Sequence, residues 1–273
     1  MRPRRCRPAR TGPAGSIAGV AMNVAAALRR QGLRPALLAH VGFDTEGEAL
    51  IRAAAGLGVE TGLLTRLPDL PTDLYLAIEG PEGLVAAIAD AAGLEAAGAA
   101  ILAPLSDGRL AAPGRPWSGV VALDGNLSAE LLTELAGAPE LAAADLRLAP
   151  ASPGKAGRLA PLRRHPNATL YVNLEEAGLL LGAPASAAVA AAAALVEAGW
   201  RRALVTDGPR EAGLAAPGFR LAASPPAVEA RRVTGAGDAC LAAHIAAERN
   251  GLGPAAALEA ALAAAARHVS EAP

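Results

Sequence analysis

From Gly19 onward the sequence alternates helix-like with strand-like segments, and that rhythm restricts the chain to crossover units on a mostly parallel sheet. Helical patterns cover Val20–Arg30 and Glu46–Gly56, with extended apolar runs at Ala36–Val41 and Val59–Leu64. The rhythm then breaks. Leu74–Ile78 and Leu84–Ile88 are two short extended runs joined by Glu79-Gly80-Pro81-Glu82-Gly83, which leaves room for a turn but none for a helix, so a hairpin serving as a flap is expected. Further strands are expected at Ala100–Ala103, Val120–Leu123, Leu146–Ala149, Leu170–Val172 and Ala203–Thr206. Helices are expected at Ala129–Leu135, Lys155–Arg164, Glu175–Leu181 and Ala187–Ala198, and Gly235–Arg249 and Pro254–His268 close the chain as two more. No internal repeat is present, and the alanine runs at 187–194 and 255–266 favour helix.

A chain of 273 residues suits one large domain. At 52% hydrophobic, 19% charged and a mean hydropathy of +0.30 it has ample material for a core, but aromatics are only 2%, so alanine, leucine and valine must fill it. The net charge of -1 removes any whole-protein electrostatic case for nucleic acid or an anionic membrane as partner and points to a small ligand. Cys6 and Cys240 make no disulfide framework, and a reducing cytoplasm is the expected compartment. Met1–Arg10 carries five arginines and no acid, ahead of an uncharged stretch to Leu28. This imitates a secretory signal, but Gly12, Gly15, Gly19 and Asn23 dilute the apolar run, and residues 1–18 read instead as a disordered basic tail.

Three patches carry chemistry. In Val233-Thr234-Gly235-Ala236-Gly237-Asp238-Ala239, small residues lead straight into an apolar helix, so free N–H groups and the positive end of the helix dipole make a site for a phosphate or a developing anion. Asp238, in the first turn, stands where a general base would take a proton from a hydroxyl attacking a γ-phosphate, or it is simply a charge that suits the helix start. Asn173-Leu174-Glu175-Glu176 begins where a strand ends. Asn173 and Glu176 form a capping box, and Glu176 is also placed to hold a magnesium-bound water. Thr206-Asp207-Gly208-Pro209-Arg210-Glu211-Ala212-Gly213 follows a strand and offers a hydroxyl and glycine backbone to phosphates or ribose; taken alone it is an ordinary turn. His40, His165, His244 and His268 lack metal-ligand spacing.

In this order the patches resemble the ribokinase-like (PfkB) carbohydrate kinases. Gly19 to Gly32, with Val41-Gly42-Phe43-Asp44 and Gly47, is similar to the N-terminal signature of that family, and Thr234-Gly235-Ala236-Gly237-Asp238 to its C-terminal one. Within the family the likeness is to pseudouridine kinases. It is carried by Tyr75-Leu76-Ala77-Ile78, Ala87-Ile88-Ala89-Asp90, Asp124-Gly125-Asn126-Leu127, and Ala149-Pro150-Ala151-Ser152 with Lys155, the chain's only lysine.

The resemblance implies an α/β three-layer sandwich with a mostly parallel central sheet over residues 19–273 and a small β lid at 71–90. It implies ATP and Mg2+ as cofactors, a monovalent cation as an additional ligand, and a nucleoside or sugar as substrate, with pseudouridine converted to its 5′-phosphate as the leading expectation. A homodimer formed through the lid is also implied. Asp238 becomes the base and the N–H groups of Gly235, Ala236 and Gly237 the anion hole, while Asn23, with Gly19, contacts the sugar. Asn173 and Glu176 organise magnesium and phosphates, Glu176 through water, and Thr206, Gly208, Gly213 and Thr234 hold the nucleotide. The alternatives are another sugar or nucleoside kinase of the family, or a non-catalytic nucleotide-binding remnant.

The chain also departs from the family pattern. Family members open with a central strand ending in a sugar-binding aspartate, and nothing before Gly19 matches it, so the expectation is a start that lies upstream or an abandoned sugar site. Arg232 stands where members have Asp or Asn, the Thr206–Gly213 turn is one residue longer than usual, and Ala18 replaces a second glycine before Gly19.

Overall fold

Apolar runs with little polar interruption can be buried on both faces only as inner strands of a parallel sheet. Four mostly apolar runs, β3 (Val120–Asp124), β4 (Asp145–Ala149), β5 (Ala168–Asn173) and β6 (Arg202–Thr206), pair in parallel in that order, with β3 at the edge of the sheet and the other three inside it. Two more, β7 (Ala212–Ala216) and β8 (Phe219–Ala223), extend the sheet antiparallel beyond β6, giving six strands. The computed structural model describes residues 19–80, 83–90 and 92–271. The expected basic tail at 1–18 and the tip of the flap at 81–82 lie outside the described residues.

Side chains alternate across each strand, so the sheet serves two cores. Leu170, Val172, Ala203 and Val205 point to one face, against α4 (Ala129–Ala136), α5 (Leu174–Leu181), α6 (Ala188–Glu197) and a 3₁₀ segment at Pro153–Arg164. Tyr171 and Leu204 point to the other, against α1 (Val20–Arg30), α7 (Ala236–Arg249) and α8 (Pro254–Ser270). The result is the three-layer α/β sandwich that the sequence implies. On the second face the scarcity of aromatics is met by alanine: Ala239, Ala242, Ala243, Ala246 and Ala247 of α7 and Ala257, Ala261 and Ala264 of α8 are buried, and their methyl groups let the two helices close on each other.

The flap is a hairpin of β1 (Leu74–Gly80) and β2 (Gly83–Asp90), paired antiparallel with a register shift at Ile78/Glu79. Its root is pinned to α2 (Thr45–Gly56). The Asp44 carboxylate caps that helix at Gly47 N (2.8 Å) and also accepts from Thr72 N (2.7 Å) and Thr72 Oγ1 (2.6 Å). Those donors, Thr72 first, hold the Asp44 pKa down at about 2. On the other strand's side, Asp73 accepts from Gly93 N and Leu94 N of α3 (Ala92–Ala97).

Some segments differ from expectation. Ala100–Ala103 is not a strand: it lies in a 3₁₀ segment, Gly98–Leu105, because a short apolar run has no period to tell strand from helix and Pro104 offers no N–H to a sheet ladder. Lys155–Arg164 is likewise 3₁₀, with Pro161 inside it. Ala36–Val41 and Val59–Leu64 form no regular strand: the second is broken by a turn at Gly62–Leu63, and the two stretches meet only through isolated parallel bridges, Ala36 to Glu60 and His40 to Thr65. β7 and β8 were not anticipated, since Ala-Gly-Leu-Ala-Ala has little intrinsic strand preference. Gly213, expected in a turn, sits inside β7 opposite Val205, where a Cβ would come within 2.5 Å of Val189 Cα in α6.

Between the sheet and α7 lies a buried polar network. Arg147 of β4 binds Asp145 (2.8 and 2.5 Å), Tyr171 Oη (2.9 Å) and Glu248 of α7 (2.5 Å). Arg202 of β6 holds the same Glu248 through two nitrogens (2.5 and 2.9 Å) and Thr169 Oγ1 through its Nε (2.8 Å). Tyr171 in turn donates to His244 Nδ1 (2.7 Å). Removing a carboxylate that serves two guanidiniums leaves the half-buried Arg202 without a carboxylate partner and the buried Arg147 with Asp145 alone. Glu248→Ala is therefore expected to cost about 3–5 kcal/mol in denaturant unfolding.

Two shifts set the acid sensitivity of this network. Burial opposes the charge on Glu248, but Arg202 and Arg147 outweigh it and hold its pKa at about 2, so its contribution is lost as pH falls from its ordinary value of 4.5 toward 2. Burial keeps His244 neutral, with its pKa lowered to about 4, so that side chain destabilises the fold as pH falls from 6.5 toward 4. The acid limb of the stability profile between pH 6.5 and 4 is expected to flatten in His244→Gln.

Candidate active site

Parallel strands end together, and the loops at their carboxyl ends form the crevice where open α/β sheets bind ligands. Asp124 ends β3, Ala149 ends β4, Asn173 ends β5 and Thr206 ends β6, with Asp124 opposite Ala149 and Asn173 opposite Thr206. Glu248, near the end of α7, meets the sheet at Arg147 and Arg202, so the start of α7 points toward these carboxyl ends.

That start is built by Gly235. Its φ of 87° is in the left-handed region, which a side chain would strain, and it turns the chain into the helix. The N–H of Ala236 donates to Val233 O (3.1 Å) and closes the turn, so it is not a free member of an anion hole. Among the described residues, the N–H groups of Gly235, Gly237 and Asp238 have no protein acceptor, and a Cβ at Gly237 would meet nothing within 4 Å. A 14-residue helix aims its dipole at this opening.

Asp238 lies beside it. Its carboxylate accepts from Asn23 Nδ2 at 2.9 Å, joining two residues 215 positions apart. Burial raises its pKa to about 6; the Asn23 bond opposes that rise and the nearby Asp124 charge reinforces it. Gly19 caps α1 at φ 127° and accepts from Asn23 N (2.9 Å), which sets the helix turn that presents Asn23.

Asp124, Asn126 and Lys155 were quoted from the sequence only as part of a likeness, and the structure places them at this same site. Asp124 accepts from Ala21 N (3.1 Å), in the turn that carries Asn23, and from Asn126 N (2.8 Å), while Lys155 Nζ donates to Asn126 Oδ1 (2.8 Å). Burial raises the Asp124 pKa, against the pull of those amides and of Lys155. The one signal for this cluster in the sequence was a solitary lysine downstream of an Asp-x-Asn at a strand end.

The second patch forms as the spacing predicts. Asn173 Oδ1 accepts from Glu176 N (2.8 Å) and Glu176 Oε2 from Asn173 N (2.9 Å), a reciprocal capping box at α5. Burial raises the Glu176 pKa, and Oε1 has no protein partner among the described residues, so one oxygen is left for a metal-bound water. Thr206 is half-buried beside Asn173, and Gly208, at φ 56°, forms a turn closed by the Asp207–Arg210 ion pair (2.6 Å). No hydrogen bond joins Asn173, Glu176, Thr206, Gly208 or the exposed Thr234 to Asp238 among the described residues; a shared strand end is what relates the first three to one another. Gly213 lies in β7 rather than in the turn, paired with Val205 next to Thr206.

The sheet, the left-handed glycine turn and the half-buried Asp238 carboxylate define an α/β protein whose long helix starts with unpaired amides near the carboxyl ends of its strands. The chain belongs to the pfkB family of carbohydrate kinases, whose model matches residues 14–272. A carbohydrate kinase from Agrobacterium tumefaciens is 29% identical, with a TM-score of 0.76 over 94% of this chain and 83% of that one. At 22% identity, the structure of Arabidopsis thaliana ribokinase complexed with ribose and ATP has a TM-score of 0.76, covering 93% of this chain and 81% of that one. A putative ribokinase II from E. coli in complex with ATP and Mg2+ shares the fold at 19% identity and a TM-score of 0.74, covering 93% and 82%. No curated protein matches. Among the described residues no helix is long and apolar enough to cross a membrane.

Burying an ionised Asp238 costs stability above its folded pKa of about 6, and the cost is relieved as pH falls toward 3.8. Asp238→Asn is therefore expected to unfold at higher denaturant than the parent at pH 7, with the gap closing by pH 4.

Proposed function

We propose that the chain transfers the γ-phosphoryl group of ATP to a primary hydroxyl of a ribose-containing small molecule, with pseudouridine and its 5′-phosphate as the leading pair. The observation that carries this reading is Asp238: a half-buried carboxylate with a pKa of about 6, beside unpaired amides at the start of a long helix, and oriented by Asn23. At pH 7 such a group is largely ionised, yet close enough to neutral pH to take a proton efficiently. Asp238 removes the proton as the substrate oxygen bonds to the γ-phosphorus, and the bond to the β-phosphate oxygen breaks to release ADP. The N–H groups of Gly235, Gly237 and Asp238 stabilise the charge spread over the transferring group.

Asn23, Asp124 and Lys155 offer an amide, a carboxylate and an ammonium to the hydroxyls and base of a nucleoside. Asn173 and Glu176 would hold magnesium through water, and magnesium, when bound, neutralises phosphate charge. Thr206, Gly208 and Thr234 would hold the nucleotide. The β1–β2 hairpin, rooted through Asp44 and Thr72, serves as the lid that excludes water, and a homodimer through that lid follows from the same reading.

ADP release with Mg-ATP and a panel of pseudouridine, uridine, adenosine, ribose and fructose tests the reading. Turnover with a nucleoside is expected, falling more than about 100-fold in Asp238→Asn. The kcat/KM of the parent should drop as pH falls through about 6, because the base must be ionised. Saturable ATP binding without turnover on any acceptor would overturn the kinase reading.

A further inference from the structure

The turn that builds the anion site is tied down from the far end of the chain. Arg231 N and Arg232 N both donate to Val269 O (2.9 and 3.2 Å), so the approach to the turn runs along the last turn of α8. Arg232 Nε donates to His268 O (3.1 Å), and its Nη2 reaches both His268 Nδ1 (3.2 Å) and Glu271 Oε2 (3.2 Å). On the other side of its ring, His268 Nε2 lies 2.9 Å from Thr234 O, and 2.9 Å from where a Cβ on Gly235 would be.

These partners assign the proton. A carbonyl only accepts, so Nε2 carries the hydrogen; a guanidinium only donates, so Nδ1 is the acceptor. The imidazole is a relay from a fixed positive charge to the peptide that precedes Gly235.

We propose that Arg232 and His268 brace the anion-hole turn, the guanidinium standing where an oxygen cage would otherwise need a monovalent cation. Among the described residues the oxygens beside this turn are already served: His268 O and Glu271 Oε2 by Arg232, and Thr234 O by His268. The resemblance that implies a monovalent cation also expects Asp or Asn at position 232, and this chain has placed a cation there covalently. Arg232 and His268 act through Thr234 and Gly235 as positioning residues.

The kinetic part rests on the kinase reading above, so the test has an arm that does not. Amide hydrogen exchange at residues 234–238 is expected to quicken by about ten-fold in Arg232→Gln and in His268→Ala, the loss of one charge-assisted hydrogen bond. Millimolar guanidinium should restore protection in Arg232→Gln and leave His268→Ala unchanged. In turnover, the parent should be equally active in buffer free of sodium and potassium and in buffer with either. Arg232→Gln should lose about ten-fold in kcat with little change in the KM of the acceptor, and regain part of it with guanidinium or potassium.

Unchanged exchange in both variants, or a parent that requires potassium, would overturn the proposal. Faster exchange with no turnover in any of the three proteins would leave the brace standing and remove the kinase reading instead.

Discussion

The position of α7 governs everything else at the site, and the helix is held at both ends by charge. Toward its end, Glu248 is gripped by Arg147 of β4 and Arg202 of β6, the two strands that flank β5. At its start, Asp238 is bound by Asn23 from α1, and the preceding turn is tied through His268 to α8. Burying so many charges is costly in solvation, and a pair of apolar residues would be as stable or more so. What charge and hydrogen-bond geometry supply is a defined register, since an alanine-rich helix face is smooth and gives little resistance to sliding.

That register matters because the chemistry is electrostatic. Backbone amides and a helix dipole act over a few ångströms, so the turn at Gly235 has to present its N–H groups at a fixed height above the strand ends. In the proposed transfer the base has to meet the same point from the side. Asp238 does so because it belongs to the helix that supplies the amides, and Asn23 orients it from a second element. Asp124 adds a second carboxylate, and burial, reinforced by the Asp124 charge, raises the pKa of Asp238 to about 6. Burial raises the Asp124 pKa, and Lys155, hydrogen-bonded to the neighbouring Asn126, pulls against that rise.

Much of the architecture was legible from Gly19 onward, for reasons that can be traced to particular runs. Leu-Arg-Leu at 146–148 and Leu-Tyr-Val at 170–172 read as strands because inner parallel strands are apolar on both faces. Val233–Ala239 read as an anion site because glycines ahead of an apolar helix have a local physical meaning that no tertiary contact is needed to reveal. Ala100–Ala103 misled because four apolar residues carry no period, and β7 was missed because its partners, not its own residues, make it a strand. Gly213 looked like part of a nucleotide turn, when its lack of a side chain serves the approach of α6 to the sheet.

The sequence by itself determined the fold class, the family signature, the capping box of Asn173 and Glu176, and the helix start bearing Asp238, all of which depend on neighbours within a few positions. Only the tertiary structure decided that Asn23 orients Asp238, that Asp124 and Lys155 join them, and that Arg232 and His268 brace the turn. It also showed that Ala236 spends its amide on closing that turn. The physical reason is reach: propensity, capping and periodicity act along the chain over a turn or two, whereas hydrogen bonds, burial and charge coupling act through space, between residues whose proximity exists only once the sheet has brought them together.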